Sequence, residues 1–250
     1  MGGYIDFIRH DLRNIMADPK VAIAMVLNMR IRAQKYTLLH EIFIHQPYHW
    51  LASRLKPNTT LIDIGANIGD TAIFFSMFPT AKRVIAYEPI PRVYAEAKEN
   101  IRLSPYKSKI ELKNLALSDT KKKIPVGSGY LGTPQTNIDE IKPRKAGQSI
   151  SCITLNEALK GLSRIAIKCD CESSEHRIFT SKADLSDVYA IQIEYHFGFQ
   201  EIPAVLQSKG FKVKIKRQQD KQMGSIGYIY AWKRLNRHRS EGSHKRNANK

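Results

Sequence analysis

Residues 60–64, Thr60-Leu61-Ile62-Asp63-Ile64, form a short apolar run that breaks onto Gly65-Ala66-Asn67-Ile68-Gly69. An apolar run of this length, bounded by glycines, reads as a strand buried on both faces. Glycine lets the backbone turn sharply at its end and come close to a ligand, with the amides of a following helix nearby. Strands of this kind belong to parallel sheets with helices packed on both sides, which already excludes most all-α and all-β architectures.

The rest of the chain keeps that rhythm. The pattern predicts a helix over 70–78 stopped by Pro79, a strand over 83–87, a helix over 91–103 and a strand over 109–114. After a Gly-, Ser- and Lys-rich stretch the alternation returns, with a helix over 155–162 and strands over 164–168 and 189–194. A helix over 202–208 ends at Gly210, and strands over 211–216 and 228–232 follow with only a polar loop between them. Two strands joined without a crossover helix must run antiparallel. The expected fold is therefore α/β: a Rossmann-like, doubly wound, mostly parallel seven-stranded sheet that ends in an antiparallel hairpin. Three regions are expected: an N-terminal helical extension over 1–57, the main domain over 58–232 with an insertion or lid at about 118–150, and a basic tail over 233–250. In the extension, helix-like patterns fall at 18–27 and 36–55. The tail has almost no apolar residues and is expected to be disordered.

The glycine spacing is Gly65-x-x-x-Gly69, not the Gly-x-Gly-x-x-Gly of dinucleotide folds, so a nicotinamide oxidoreductase is disfavoured. Asp63 is placed to meet a cationic or hydrogen-bonding group. Glu88 ends the second strand, where an acid can accept hydrogen bonds from both hydroxyls of a ribose. Leu115 and Ala116 follow the third strand and can flank a base. Asp170, Glu172, Glu194 and His196 fall at the ends of the fourth and fifth strands, the edge where open α/β sheets bind ligands. His196 or Glu194 can serve as a general base, or join Asp170 in holding Mg²⁺ through hard oxygen ligands. No metal-ligand spacing motif accompanies them, so no residue is assigned to a metal. Cys169-x-Cys171 lacks a second pair or a nearby histidine in sequence and reads as two buried strand-end thiols, not a zinc site.

Several of these segments together resemble the FkbM family of methyltransferases. They are Asp63-x-Gly65-x-Asn67-x-Gly69-Asp70-Thr71, Tyr87-Glu88-Pro89, Ala116-Leu117-Ser118-Asp119, Ile153-Thr154-Leu155, Lys168-Cys169-Asp170-Cys171-Glu172 and Ile193-Glu194-Tyr195-His196. The resemblance spans about residues 58–200. It implies S-adenosylmethionine (SAM) as methyl donor and, as a rule, an oxygen acceptor. Carried over by position, it implies a cofactor site of Asp63, Gly65, Ala66, Asn67, Gly69, Asp70, Thr71, Glu88, Pro89, Leu115, Ala116 and Asp170, with Asp170 facing the reacting centre. The acceptor side departs from the family pattern: Ser173-Ser174 replaces a glycine-containing stretch, and Asn156 stands where an Asp is usual.

Composition bears on the acceptor and on location. The chain has 250 residues, a formal net charge of +17 and only three cysteines. Few cysteines suit a reducing, cytoplasmic setting. No apolar run reaches the roughly 20 residues of a transmembrane helix. The charge predicts attraction to polyanions through Lys121-Lys122-Lys123, the basic run 212–217 and the tail. RNA, methylated at a ribose hydroxyl, and a small-molecule or glycan hydroxyl are the competing acceptors. A nucleic-acid-binding module that keeps the fold without catalysis is the non-enzymatic alternative. No Asn-Pro-Pro-Tyr or Asp-Pro-Pro-Tyr tetrapeptide is present, which disfavours methylation of base amino groups.

Overall fold

A computed structural model of the chain describes residue 42 and residues 47–125, 149–172, 174–180, 182–220 and 224–234. The first strand, β1 (Thr59–Ile64), is buried along its whole length. It leads through Gly65–Gly69 into α2 (Asp70–Ser76), a helix whose seven residues are all buried. Then come β2 (Ala81–Tyr87), α3 (Pro91–Leu103) and β3 (Ile110–Lys113). The second half supplies α4 (Leu155–Leu159), β7 (Ile165–Cys169), α5 (Glu175–Ile178), β8 (Val188–Tyr195), α6 (Ile202–Ser208), β9 (Lys212–Asp220) and β10 (Gly224–Trp232). A short helix, α1 (His49–Ala52), precedes β1.

The seven-stranded sheet has the order β3-β2-β1-β7-β8-β10-β9. The first five strands are mutually parallel, while β10 runs antiparallel to both β8 and β9. The expected fold class holds, terminal hairpin included. Neighbouring residues of a strand point to opposite faces, so β1 feeds two cores: Leu61 packs with Leu51, Phe74 and Phe75, and Ile62 with Leu155, Ile178 and Leu206. Helices α1, α2 and α3 thus cover one face, and α4, α5 and α6 the other. Among the described residues, no helix is long and apolar enough to cross a membrane.

Short strands border the segment expected as an insertion. Strands β4 (Ala116–Ser118), β5 (Lys122–Pro125) and β6 (Ser149–Thr154) make a second sheet, with β6 between β4 and β5. Ala116 therefore opens β4 and does not extend β3. The helix expected over 155–162 stops at Leu159. Its start is fixed by a capping box, in which Thr154 accepts from the Glu157 amide and Glu157 accepts from the Thr154 amide. Of the helix expected over 36–55, the described residues keep only His49–Ala52. The helix expected over 18–27, the interior of the insertion and residues 235–250 of the tail lie outside the described residues.

Candidate functional site

Four parallel strands deliver their C-terminal ends to one edge of the sheet: Ile64, Tyr87, Cys169 and Tyr195. The turn after β1 is pinned across to β2, because the amides of Gly65 and Ala66 both donate to the Tyr87 carbonyl at 3.0 and 2.9 Å. Gly65 has φ of +76°, and a Cβ there would collide with the Asp170 carbonyl oxygen at the end of β7. No other residue type fits this position. The crevice beside the turn is an open cavity lined by Gly65, Asn67, Glu88, Pro89, Leu115, Ala116, Asp170 and Glu172 among others.

Glu88 is almost fully buried at this wall. One carboxylate oxygen accepts from the Asn67 amide at 3.0 Å, and the other accepts from the Ile90 amide at 2.9 Å. Each oxygen keeps a second lone pair for a ligand hydroxyl. Burial pushes the Glu88 carboxyl up to about 7, against the pull of those two amides and of Lys168. Asn114 clamps the segment from β3, its amide donating to the carbonyls of Glu88 and Pro89 at 2.8 and 3.0 Å.

Asp63 meets a cationic and a hydrogen-bonding group inside the protein. It is fully buried, and its carboxylate is engaged within the protein: Lys168 Nζ lies 3.1 Å from Oδ1, and the Thr71 hydroxyl donates to Oδ2 at 2.6 Å. Lys168 also donates to the carbonyl oxygen of Gly65 at 2.6 Å, which ties the ion pair to the turn. Burial alone would pull the Lys168 pKa down, but Asp63 and Asp170 outweigh it and hold the ammonium charged. Asp63, Ala66, Gly69, Asp70 and Thr71 are all buried and stand behind the residues that line the cavity. Sequence reasoning missed Lys168 as a site residue. The signal was a lysine inside the otherwise apolar strand Ile165–Cys169.

The remaining candidates gather next to the cavity. The Tyr48 hydroxyl lies 3.0 Å from Asp170 Oδ2 and 3.2 Å from Glu194 Oε2, donating toward both carboxylates. Burial and the charges of Asp170 and Glu194 raise the Tyr48 pKa well above its ordinary value, so it stays a donor. Sequence reasoning missed Tyr48 too, and no local pattern marks it. His196 is buried, with Nδ1 3.2 Å from Glu175 Oε1 and Nε2 3.7 Å from Glu172 Oε2. Burial pulls its pKa down, but the hydrogen bond to Glu175 and the charges of Asp170, Glu175 and Glu172 raise it to about 9. Burial, with Asp170 beside it, lifts Glu172 to about 7. The Cys169 and Cys171 sulfurs lie 3.6 Å apart as free thiols.

A family model described as the methyltransferase FkbM domain matches residues 63–213 of this chain, more than half its length. The chain belongs to the FkbM methyltransferase family. A curated relative, the AMB antimetabolite synthetase AmbE of Pseudomonas aeruginosa, is 27% identical over 97 residues, covering 39% of this chain but only 4% of that protein. The FkbM methyltransferase structure from Methylobacillus flagellatus KT superposes with a TM-score of 0.50 at 14% identity, covering 84% of this chain and 58% of that one. The precorrin-6y C5,15-methyltransferase from Geobacter metallireducens GS-15 gives a TM-score of 0.42 at 14% identity, covering 74% and 87%. At 14% identity the Methylobacillus flagellatus structure speaks for the fold alone. The FkbM match begins at Asp63, so it holds the turn, Glu88, Lys168, Asp170 and His196 but not Tyr48.

Proposed function

We propose that this FkbM-family chain transfers a methyl group from SAM to a hydroxyl oxygen. The observation that carries the reading is Glu88: a buried carboxylate at the C-terminal end of β2, held by two backbone amides, with acceptor capacity left over at a cavity wall. A ribose whose two hydroxyls meet Glu88 would set its base against Leu115 and Ala116 and its sulfonium arm toward Gly65 and Asp170. SAM supplies an electrophilic methyl on a positively charged sulfur. Bound there, it would offer that carbon to the acceptor oxygen, and the carbon–sulfur electron pair would stay on sulfur. The hydroxyl proton passes to one carboxylate of the group beside His196, Asp170, Glu172 or Glu194. Such a displacement needs alignment more than covalent help, which suits a rigid turn pinned to two neighbouring strands.

For the acceptor, the net charge of +17 and the exposed lysines of β9 favour a polyanion, and a ribose hydroxyl of RNA is the first reading. The second reading is a small-molecule or glycan hydroxyl, favoured by the similarity to an antimetabolite synthetase. The test pairs two measurements. SAM should raise the melting temperature of the wild type, and Glu88→Gln should weaken SAM binding at least tenfold; an equal shift in the variant sinks the site assignment. Labelled SAM is then incubated with total RNA, with glycans and with a metabolite extract. Label in RNA supports the first reading, and label in a small molecule or glycan the second. SAM binding with no transfer to any pool would leave a binding module.

A further inference from the structure

We propose that Asp170, Glu172 and His196 form a binding site for one divalent cation of the Mg²⁺ or Mn²⁺ kind, on the acceptor side of the cavity. One donor atom from each of the three lies within 4.8 Å of the other two. Two ligands each about 2.1 Å from a shared ion stand at most about 4.2 Å apart, so modest side-chain rotation closes the set.

The histidine gives the cluster a direction. His196 is more than nine-tenths buried, and its Nδ1 is anchored on the equally buried Glu175 at 3.2 Å. A bound cation would displace the Nε2 proton, leaving Nδ1–H on Glu175 and the ligating lone pair on Nε2, on the side of Glu172 at 3.7 Å. Nε2 makes no hydrogen bond to any described residue. A metal-binding imidazole is usually held this way, with its far nitrogen on a carboxylate that fixes tautomer and ring orientation. Glu175 also accepts from the Cys171 amide at 3.2 Å, so the anchor is itself tied to the loop that carries Asp170 and Glu172. Two carboxylates and one imidazole suit a six-coordinate Mg²⁺ or Mn²⁺ that leaves positions open to water or an acceptor oxygen. Asp170 and Glu172 line the cavity, so those positions would face the ligand.

The role of the ion rests on the methyl-transfer reading: a hydroxyl bound to it would lose its proton more readily. The site itself does not rest on that reading, and the experiment separates the two. Mn²⁺ alone is titrated into the cofactor-free chain and followed by electron paramagnetic resonance, with Mg²⁺ as competitor. SAM binding is measured separately without added cation. One Mn²⁺ per chain is expected, displaced by Mg²⁺. Glu172→Gln and His196→Ala should each weaken Mn²⁺ at least tenfold, and Glu175→Gln about tenfold through the loosened imidazole. Glu88→Gln should leave Mn²⁺ binding in place. Absence of saturable Mn²⁺ binding up to about 1 mM, or wild-type affinity in both Glu172→Gln and His196→Ala, overturns the site whatever SAM does.

Discussion

At the scale of single residues, the cavity depends on two buried carboxylates with opposite solutions to the cost of burial. Asp63 is neutralised by Lys168, and both side chains are essentially inaccessible. Lys168→Met leaves that carboxylate without its cation and should cost about 3–5 kcal/mol of stability. A calorimetric melting temperature lower by roughly 10 °C is expected; a shift of a degree or two would mean that the pair contributes little. Among the described residues Glu88 has no ion-pair partner within hydrogen-bonding reach, and its folded-state pKa rises from the ordinary 4.5 to about 7. A raised carboxyl stabilises the folded chain below pH 4.5 and loses that contribution as pH climbs to about 7. Ribose hydroxyls need the ionised form, so SAM affinity should run the other way. It should increase about tenfold per pH unit up to about 7 and level off above. Titration calorimetry at pH 5.5, 6.5 and 7.5 reads this, and a flat profile removes Glu88 from the ligand. Gly65 and Glu88 were legible in the sequence because their chemistry is local, a turn and a strand end. Lys168 and Tyr48 were not, because each acquires its meaning from a residue more than a hundred positions away.

At the scale of elements, the β9–β10 hairpin combines an edge with a charge pattern. Lys212, Lys214 and Lys216 stand opposite Trp232, Tyr230 and Tyr228 in the antiparallel register. They are exposed, while Val213 and Ile215 between them pack on the core. The row predicts that replacing the three lysines with serine weakens RNA binding. The slope of log affinity against log salt should flatten by about 2, at 0.7 per phosphate contact on a single strand. An unchanged slope would mean that the lysines serve only to keep this sheet edge from pairing with another chain. The hairpin was readable from two alternating runs with no helix between them. The placement of β4, β5 and β6 was not, because their apolar positions are few and the partners are far apart in sequence.

At the scale of the whole molecule, the α/β class and the edge that carries the site followed from one apolar run and the rhythm after it. The helix expected over 155–162 starts where its capping box puts it but ends early, at Leu159. The N-terminal segment could not be placed from sequence. Its contribution is three-dimensional: Tyr48 on the carboxylates, and Trp50 with its ring centroid 4.9 Å from that of Tyr230. The strand order also bears on how the chain is made. β10 lies between β8 and β9 although both precede it in sequence. During synthesis β8 is complete some thirty residues before its neighbour on that side exists, and β9 has no place to dock until β10 arrives. The growing chain must carry an open, apolar sheet edge until β10 has left the ribosome, and the N-terminal segment cannot lay Trp50 against Tyr230 before then.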